Sequence, residues 1–140
     1  MSVSPSTQPQ VPARRSPDIL LVDDNEQNLE LLAAFLEEFE AGGGTVRTAK
    51  DGLEALKAIE AKAPDALLLD VMMPRMSGFQ LCSKLKADAA TKHIPVMMVT
   101  ALNEVSDVER AMECGADDFI SKPVNKVELV GRVKALLAHK

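Results

Sequence analysis

From residue 18 onward, short apolar runs alternate with longer stretches in which apolar residues recur every three or four positions. Residues 19–22, 45–48, 66–69, 96–99 and 119–121 read as strands. Three of them (19–22, 66–69 and 96–99) are continuously apolar, the mark of a strand buried on both faces of a parallel sheet. Between them lie five helical stripes. Leu29, Leu32, Leu36 and Phe39 make the first, and Leu53, Leu56 and Ile59 the second. Phe79, Cys82 and Leu85 make the third, Val105, Val108 and Met112 the fourth, and Val127, Val130, Val133 and Leu137 the fifth. The glycines at 42–44 and Gly115 read as helix stops, and Pro123 ends the fifth strand. Five strands alternating with five helices predict an α/β domain: a five-stranded parallel sheet covered on both faces and joined by right-handed crossovers. Such sheets bind ligands beyond the carboxyl ends of their strands, where the strand order reverses.

Composition narrows the function. A chain of 140 residues, 46% hydrophobic and 26% charged, suits one globular domain, and no internal repeat is visible. Four Phe and no Trp or Tyr leave the core to aliphatic residues and Met. A net charge of −5, with no basic cluster, argues against direct nucleic-acid binding. Cys82 and Cys114 show no metal-ligand spacing and read as partly buried thiols, consistent with a reducing cytoplasm. The apolar runs are too short to span a membrane. Residues 1–17, rich in Pro, Ser and Gln, read as a disordered tail ahead of a domain over 18–140. His93 and His139 have no catalytic neighbours in sequence and are expected to be exposed, as is the acidic face carrying Glu30, Glu37 and Glu38. The pairs Met72-Met73 and Met97-Met98 read as rim and core packing.

Polar residues fall at four of the five strand ends: Asp23 and Asp24, then Asp70, then Thr100, then Ser121 and Lys122. Singly, each suits a helix cap or a strand terminus. Together, three converging carboxylates repel one another unless a cation offsets them, and Mg²⁺ prefers oxygen ligands. A lysine and a threonine hydroxyl supply positive charge and a donor for phosphoryl oxygens. Carboxylate nucleophile, metal and donors are what phosphoryl transfer requires.

The motifs ILLVDDNEQN, DALLLDVMMPRMSG, IPVMMVTA and GADDFISKP, in this order, resemble the receiver domain of bacterial two-component response regulators from about residue 18 to 137. The resemblance implies a flavodoxin-like, doubly wound fold and a phosphoacceptor, Asp70, that takes its phosphoryl group from a phosphohistidine on a sensor histidine kinase or histidine phosphotransfer protein. It implies Mg²⁺, with Mn²⁺ as substitute, on Asp24, on Asp23 through water, on Asp70 and on the backbone carbonyl of Met72. Lys122 would pair with Asp70 and then with the phosphoryl oxygens, aimed by a cis peptide to Pro123. Thr100 would bond the phosphoryl group, Ala101 would leave room for it, and Phe119 would be the switch aromatic. The output would be a downstream effector protein or an output domain missing from this chain, with a homodimer on phosphorylation as a further option. Two departures flank the acceptor loop: Arg75, where many members have Gly, and Ser77, where Asp is common. Met72 and Leu102, two residues past Asp70 and Thr100, are expected to border the path of attacking water.

In this reading the chain is a cytoplasmic bacterial signalling domain that catalyses only its own phosphorylation and dephosphorylation. One alternative is a receiver-like scaffold that binds proteins without being phosphorylated. Another is a Mg²⁺-dependent phosphatase with an Asp nucleophile, but the second Asp such enzymes need is here Met72. A nucleotide- or flavin-binding module would want a phosphate-binding loop where the acidic segment 23–26 stands. The chain ends about seventeen residues after Pro123, so either a stand-alone receiver or a piece of a longer regulator is expected.

Overall fold

The structure is a computed structural model that describes residues 17–73, 75–101, 109–110 and 112–138. The expected tail up to residue 16, Leu102, Val105, Val108 and His139 lie outside the described residues. Strands β1 (Asp18–Val22), β2 (Thr45–Ala49), β3 (Ala66–Asp70), β4 (Val96–Thr100) and β5 (Asp118–Ser121) each extend their expected range by one residue. They form one parallel sheet in the order β2-β1-β3-β4-β5. The order reverses between β1 and β3, so the expected crevice lies above those two strands.

The apolar strands divide their side chains between two cores, because successive residues point to opposite faces. Leu20, Val22, Leu67, Leu69, Val96 and Met98 face one core, and Ile19, Leu21, Ala66, Leu68, Met97 and Val99 face the other. Helices α3 (Gly52–Ala61) and α4 (Gly78–Ala87) cover the first face with Ala55, Ile59, Phe79, Cys82 and Leu85. Helices α1 (Glu26–Phe35) and α5 (Lys126–Ala138) cover the second with Leu29, Leu32, Leu129, Val133 and Leu136. Both cysteines are buried thiols, Met97 and Met98 are core, and His93, Glu30, Glu37 and Glu38 are exposed.

Several expected helix faces are corrected. The first stripe is not one helix: it breaks at Leu36, and α2 (Glu37–Ala41) follows. Leu36 N–H reaches both Leu32 O and Ala33 O at 3.1 Å, a tightened last turn, and the acidic residues that follow suit a new helix amino end. Leu53 is 61% exposed, while Ile59 is buried and Leu56 partly buried as expected, with Gly52 and Ala55 completing the face of α3. Gly52 is closely packed: a Cβ on it would lie 2.8 Å from Met76 Sδ, in the loop that follows β3. Val127 is 81% exposed and Met112 68%; in α5 Val133 is buried and Val130 and Leu137 partly buried as expected, and Leu129 and Leu136 complete the packed face. Past α2, Gly43 adopts φ 100°, and Gly44 N–H returns to Phe39 O at 2.9 Å, as expected of the glycine stop.

At the amino ends of the strands, away from the crevice, Arg47 joins three elements. It bonds buried Asp18 and donates to Lys62 O (2.7 Å) and to Ala58 O (3.0 Å), a carbonyl at the end of α3 that also accepts Lys62 N–H.

Candidate functional site

Register sets the height of each polar residue. Val22 pairs with Leu69, so Asp23 stands level with Asp70, and Asp70 pairs with Val99, one residue short of Thr100. Thr100 pairs with Ser121, and Lys122 N–H donates to Thr100 O at 2.7 Å. Four strand ends therefore meet on one rim, as the sequence predicts.

Asp23, Asp70 and Thr100 are buried, while Asp24 is exposed. One Asp23 oxygen accepts Asn25 N–H at 2.9 Å, and the Asn25 side chain in turn caps α1 by accepting from Gln27 N and Asn28 N. This leaves Asp23 Oδ2 buried with no hydrogen bond among the described residues. Carboxylate oxygens of Asp23, Asp24 and Asp70 lie within 4.8 Å of one another. Lys122 Nζ is 2.9 Å from Asp70 Oδ1 and 3.8 Å from Asp23 Oδ2, and the Lys122–Pro123 peptide is cis. Burial pushes the Asp70 carboxyl up, and the charges of Asp23 and Asp24 push it further, against the hydrogen bond from Lys122.

One lysine does not neutralise three carboxylates, and an unbonded buried carboxylate oxygen is unfavourable unless a cation meets it. The donor set is oxygen only, which suits a hard divalent ion such as Mg²⁺. No hydrogen bond to the Met72 carbonyl is present among the described residues, and the Met72 side chain is 77% exposed on the rim. The residues present fit such an ion.

Thr100 and Phe119 share a face. Phe119 pairs with Met98, two residues before Thr100 on β4, and its half-buried ring packs against the core on the α3–α4 side. By the same alternation Asp70 belongs to the row of Ala66 and Leu68, on the α1–α5 side.

The two departures beside Asp70 have different physical weight. Ser77 is the N-cap of α4 in a full capping box: its hydroxyl accepts Gln80 N–H and its own N–H reaches Gln80 Oε1 at 2.9 Å. Ser caps as well as Asp, so nothing is lost there. Arg75 is exposed and left-handed, with φ 69°. That conformation costs a non-glycine residue about 1–2 kcal/mol, partly offset by about 0.4–1 kcal/mol of extra unfolded-state entropy that Gly would bring. Arg75→Gly is therefore expected to stabilise the fold by about 0.5 kcal/mol, read as a higher urea midpoint at unchanged m-value.

Some neighbours of the site carry no motif. Lys50, just past β2, pairs with Glu26 at 2.7 Å across the mouths of β2 and α1. A cleft of ≈ 200 Å³ opens beside Asp23 and Lys122, lined also by Asn28, Leu31, Pro123 and Val124. Leu31, 49% exposed on α1, lies outside the apolar stripe that the sequence pattern picks out for this helix.

The response regulator receiver domain family matches residues 19–134. The response regulator PleD of Caulobacter vibrioides is 48% identical over 124 residues, covering 87% of this chain and 26% of PleD. The signal receiver domain of a signal transduction histidine kinase from Syntrophus aciditrophicus superposes with TM-score 0.80 at 40% identity, over 89% of this chain and 92% of that one. The receiver domain of the sensor histidine kinase PA1611 from Pseudomonas aeruginosa has magnesium coordinated in its active-site cleft; it superposes with TM-score 0.78 at 27% identity, over 88% of this chain and 98% of that one. This chain spans from about a quarter to about half of the length of the curated relatives it matches, some of which are named as transcriptional or DNA-binding regulators.

Proposed function

Given that the chain belongs to the response regulator receiver domain family, we propose that Asp70 is its phosphoacceptor, charged from a phosphohistidine of a sensor histidine kinase or histidine phosphotransfer protein. The observation that carries this reading is the convergence of Asp23, Asp24 and Asp70 with Lys122 Nζ 2.9 Å from Asp70. An Asp70 oxygen attacks phosphorus, and the phosphohistidine nitrogen leaves. Mg²⁺, held by Asp23, Asp24, Asp70 and the Met72 carbonyl, would neutralise charge on the phosphoryl oxygens. Mn²⁺, with the same preference for oxygen ligands, would serve in its place.

Lys122 holds the free carboxylate in place and can follow the new negative charge onto the phosphoryl group. Thr100 supplies a hydroxyl donor one residue beyond the level of Asp70, and Ala101, exposed beyond it, leaves the approach open. As Thr100 turns toward the phosphoryl oxygens, Phe119 on its own face moves into the space released. This changes the surface around β5 and α5. Exposed Met112 and Val127 give that surface apolar contact points for an effector or a second copy of the chain. The cleft beside Lys122, with Leu31 exposed on its α1 side, suits docking of the phosphodonor helix. No described helix is long and apolar enough to cross a membrane. The expectation of no nucleic-acid contact applies to this chain's own acidic surface; whole relatives named for DNA binding are longer.

The test is chemical. Incubation with Mg²⁺ and a small acyl phosphate is expected to add one phosphoryl mass, mapped by borohydride trapping to Asp70 and lost on chelation. An unlabelled protein under conditions that label another receiver would leave the scaffold reading in its place.

A further inference from the structure

A guanidinium stacked on an aromatic ring ties the acceptor helix to the segment that leads into β5. Gly78 packs so closely on the acceptor backbone that a Cβ there would collide with the Asp70 carbonyl and lie 2.9 Å from Met98 Cε. Its N–H bonds Val71 O at 3.0 Å. The next residue, Phe79, is 6% exposed, and Arg110 Cζ sits 4.5 Å from its ring centroid. Arg110 belongs to the helical residues around Glu113, whose turn ends at buried Cys114 and Gly115, three residues before β5. The same helix grips that turn a second time, through Cys82 Sγ to Cys114 O at 3.3 Å. Beside the stacked pair runs a groove of ≈ 390 Å³ lined by Gln80, Ser83 and Glu113, so Arg110 has open space into which it can move.

From this geometry we infer that the Arg110–Phe79 stack is a latch that holds Arg110 and the Cys114–Gly115 turn in their resting position against α4, and that the phosphoacceptor must work against it to switch. The inference rests on Asp70 being the acceptor. The contact reaches the acceptor through Gly78 and Phe79 and the switch surface through the turn before β5. It is therefore a connection separate from the Thr100–Phe119 pair. Its strength is that of an exposed cation–π contact, equivalent to roughly a 2- to 5-fold bias between the two arrangements. Such a bias adjusts the resting population without locking it.

Beryllofluoride with Mg²⁺, a mimic of the phosphoryl group on a carboxylate, reads that population, because apparent affinity scales with the competent fraction. The chain has no Trp or Tyr, so binding is followed by the amide NMR signals of Thr100 and Phe119. Arg110→Ala is expected to bind beryllofluoride roughly 2- to 5-fold more tightly than the wild type, with Arg110→Lys in between. Phe79→Leu, which keeps apolar bulk but loses the π face, should move affinity the same way, and adding Arg110→Ala to it should bring no further gain. Unchanged or weaker affinity in Arg110→Ala, with only a lower melting temperature, would make the stack mere packing and overturn the proposal. Simple additivity of the two substitutions would overturn it as well. If the wild type itself fails to bind beryllofluoride, the phosphoacceptor reading fails, and the latch with it.

Discussion

Asp70→Asn is expected to abolish phosphoryl labelling and at the same time to make the protein harder to unfold at neutral pH. Loss of labelling follows because the amide cannot act as the nucleophile. The gain in stability follows from burial, which raises the Asp70 pKa, reinforced by Asp23 and Asp24 and opposed by Lys122. A carboxyl whose pKa is higher in the folded chain than in the unfolded chain binds its proton more tightly when folded. Its ionisation therefore removes stability as pH rises through the folded value, and the penalty is complete above that value. Asparagine escapes that penalty. The advantage of the variant should shrink as pH falls through the folded pKa of Asp70 and vanish below the ordinary carboxylate value, where both chains are neutral at this position. Thermal melts of the two proteins across that range check the sign. A variant that melts below the wild type at neutral pH would mean that the Lys122 contact outweighs burial.

Gly78→Ala is the most disruptive small substitution the fold offers near the site. The added methyl meets the Asp70 carbonyl and Met98 Cε, and neither neighbour is the loose end of an exposed chain: one is strand backbone and the other is buried core. Either α4 or the end of β3 must give way. Overpacking of this kind destabilises by about 3 kcal/mol at the upper end of its usual range. A shift of the acceptor carboxylate by about 1 Å would slow acyl-phosphate labelling on the order of 100-fold. Denaturant unfolding and the labelling rate at saturating Mg²⁺ measure the two effects separately. A rate near that of the wild type in a folded variant would show that α4 yields without moving Asp70.

The strands were legible because burial on both faces leaves a simple mark: 19–22, 66–69 and 96–99 hold only apolar residues. The strand-end residues were legible only together: singly each suits a cap or a strand terminus, and it is their coincidence at four of the five strand ends that marks the rim. Helix faces were harder to read. Leu53 looked like a core residue, but the buried face of α3 is centred on Gly52, Ala55 and Ile59, with Leu53 at its exposed edge and Gly52 packed under Met76. The break at Leu36 likewise depends on contacts made in the fold, because the apolar stripe continues through it. Around the site, sequence identified Asp23 as a ligand candidate but not its second oxygen, which is left without a hydrogen bond only once Asn25 has taken the first. The left-handed backbone at Arg75 and the stacking of Arg110 on Phe79 join residues by geometry alone, and no spacing rule announces either.

Strand alternation has a consequence for the timing of signalling. Asp70 projects from the α1–α5 side of the sheet, next to the cleft at Leu31 and Lys122, whereas Thr100 and Phe119 project from the other. In the proposed scheme, the sheet would stand between the cleft where a donor docks and the aromatic side chain that responds, the two being joined at the rim where Thr100 meets the phosphoryl group. Substitutions lining the cleft are then expected to alter the rate of loading more than the shift of Phe119, and substitutions beside Phe119 the reverse.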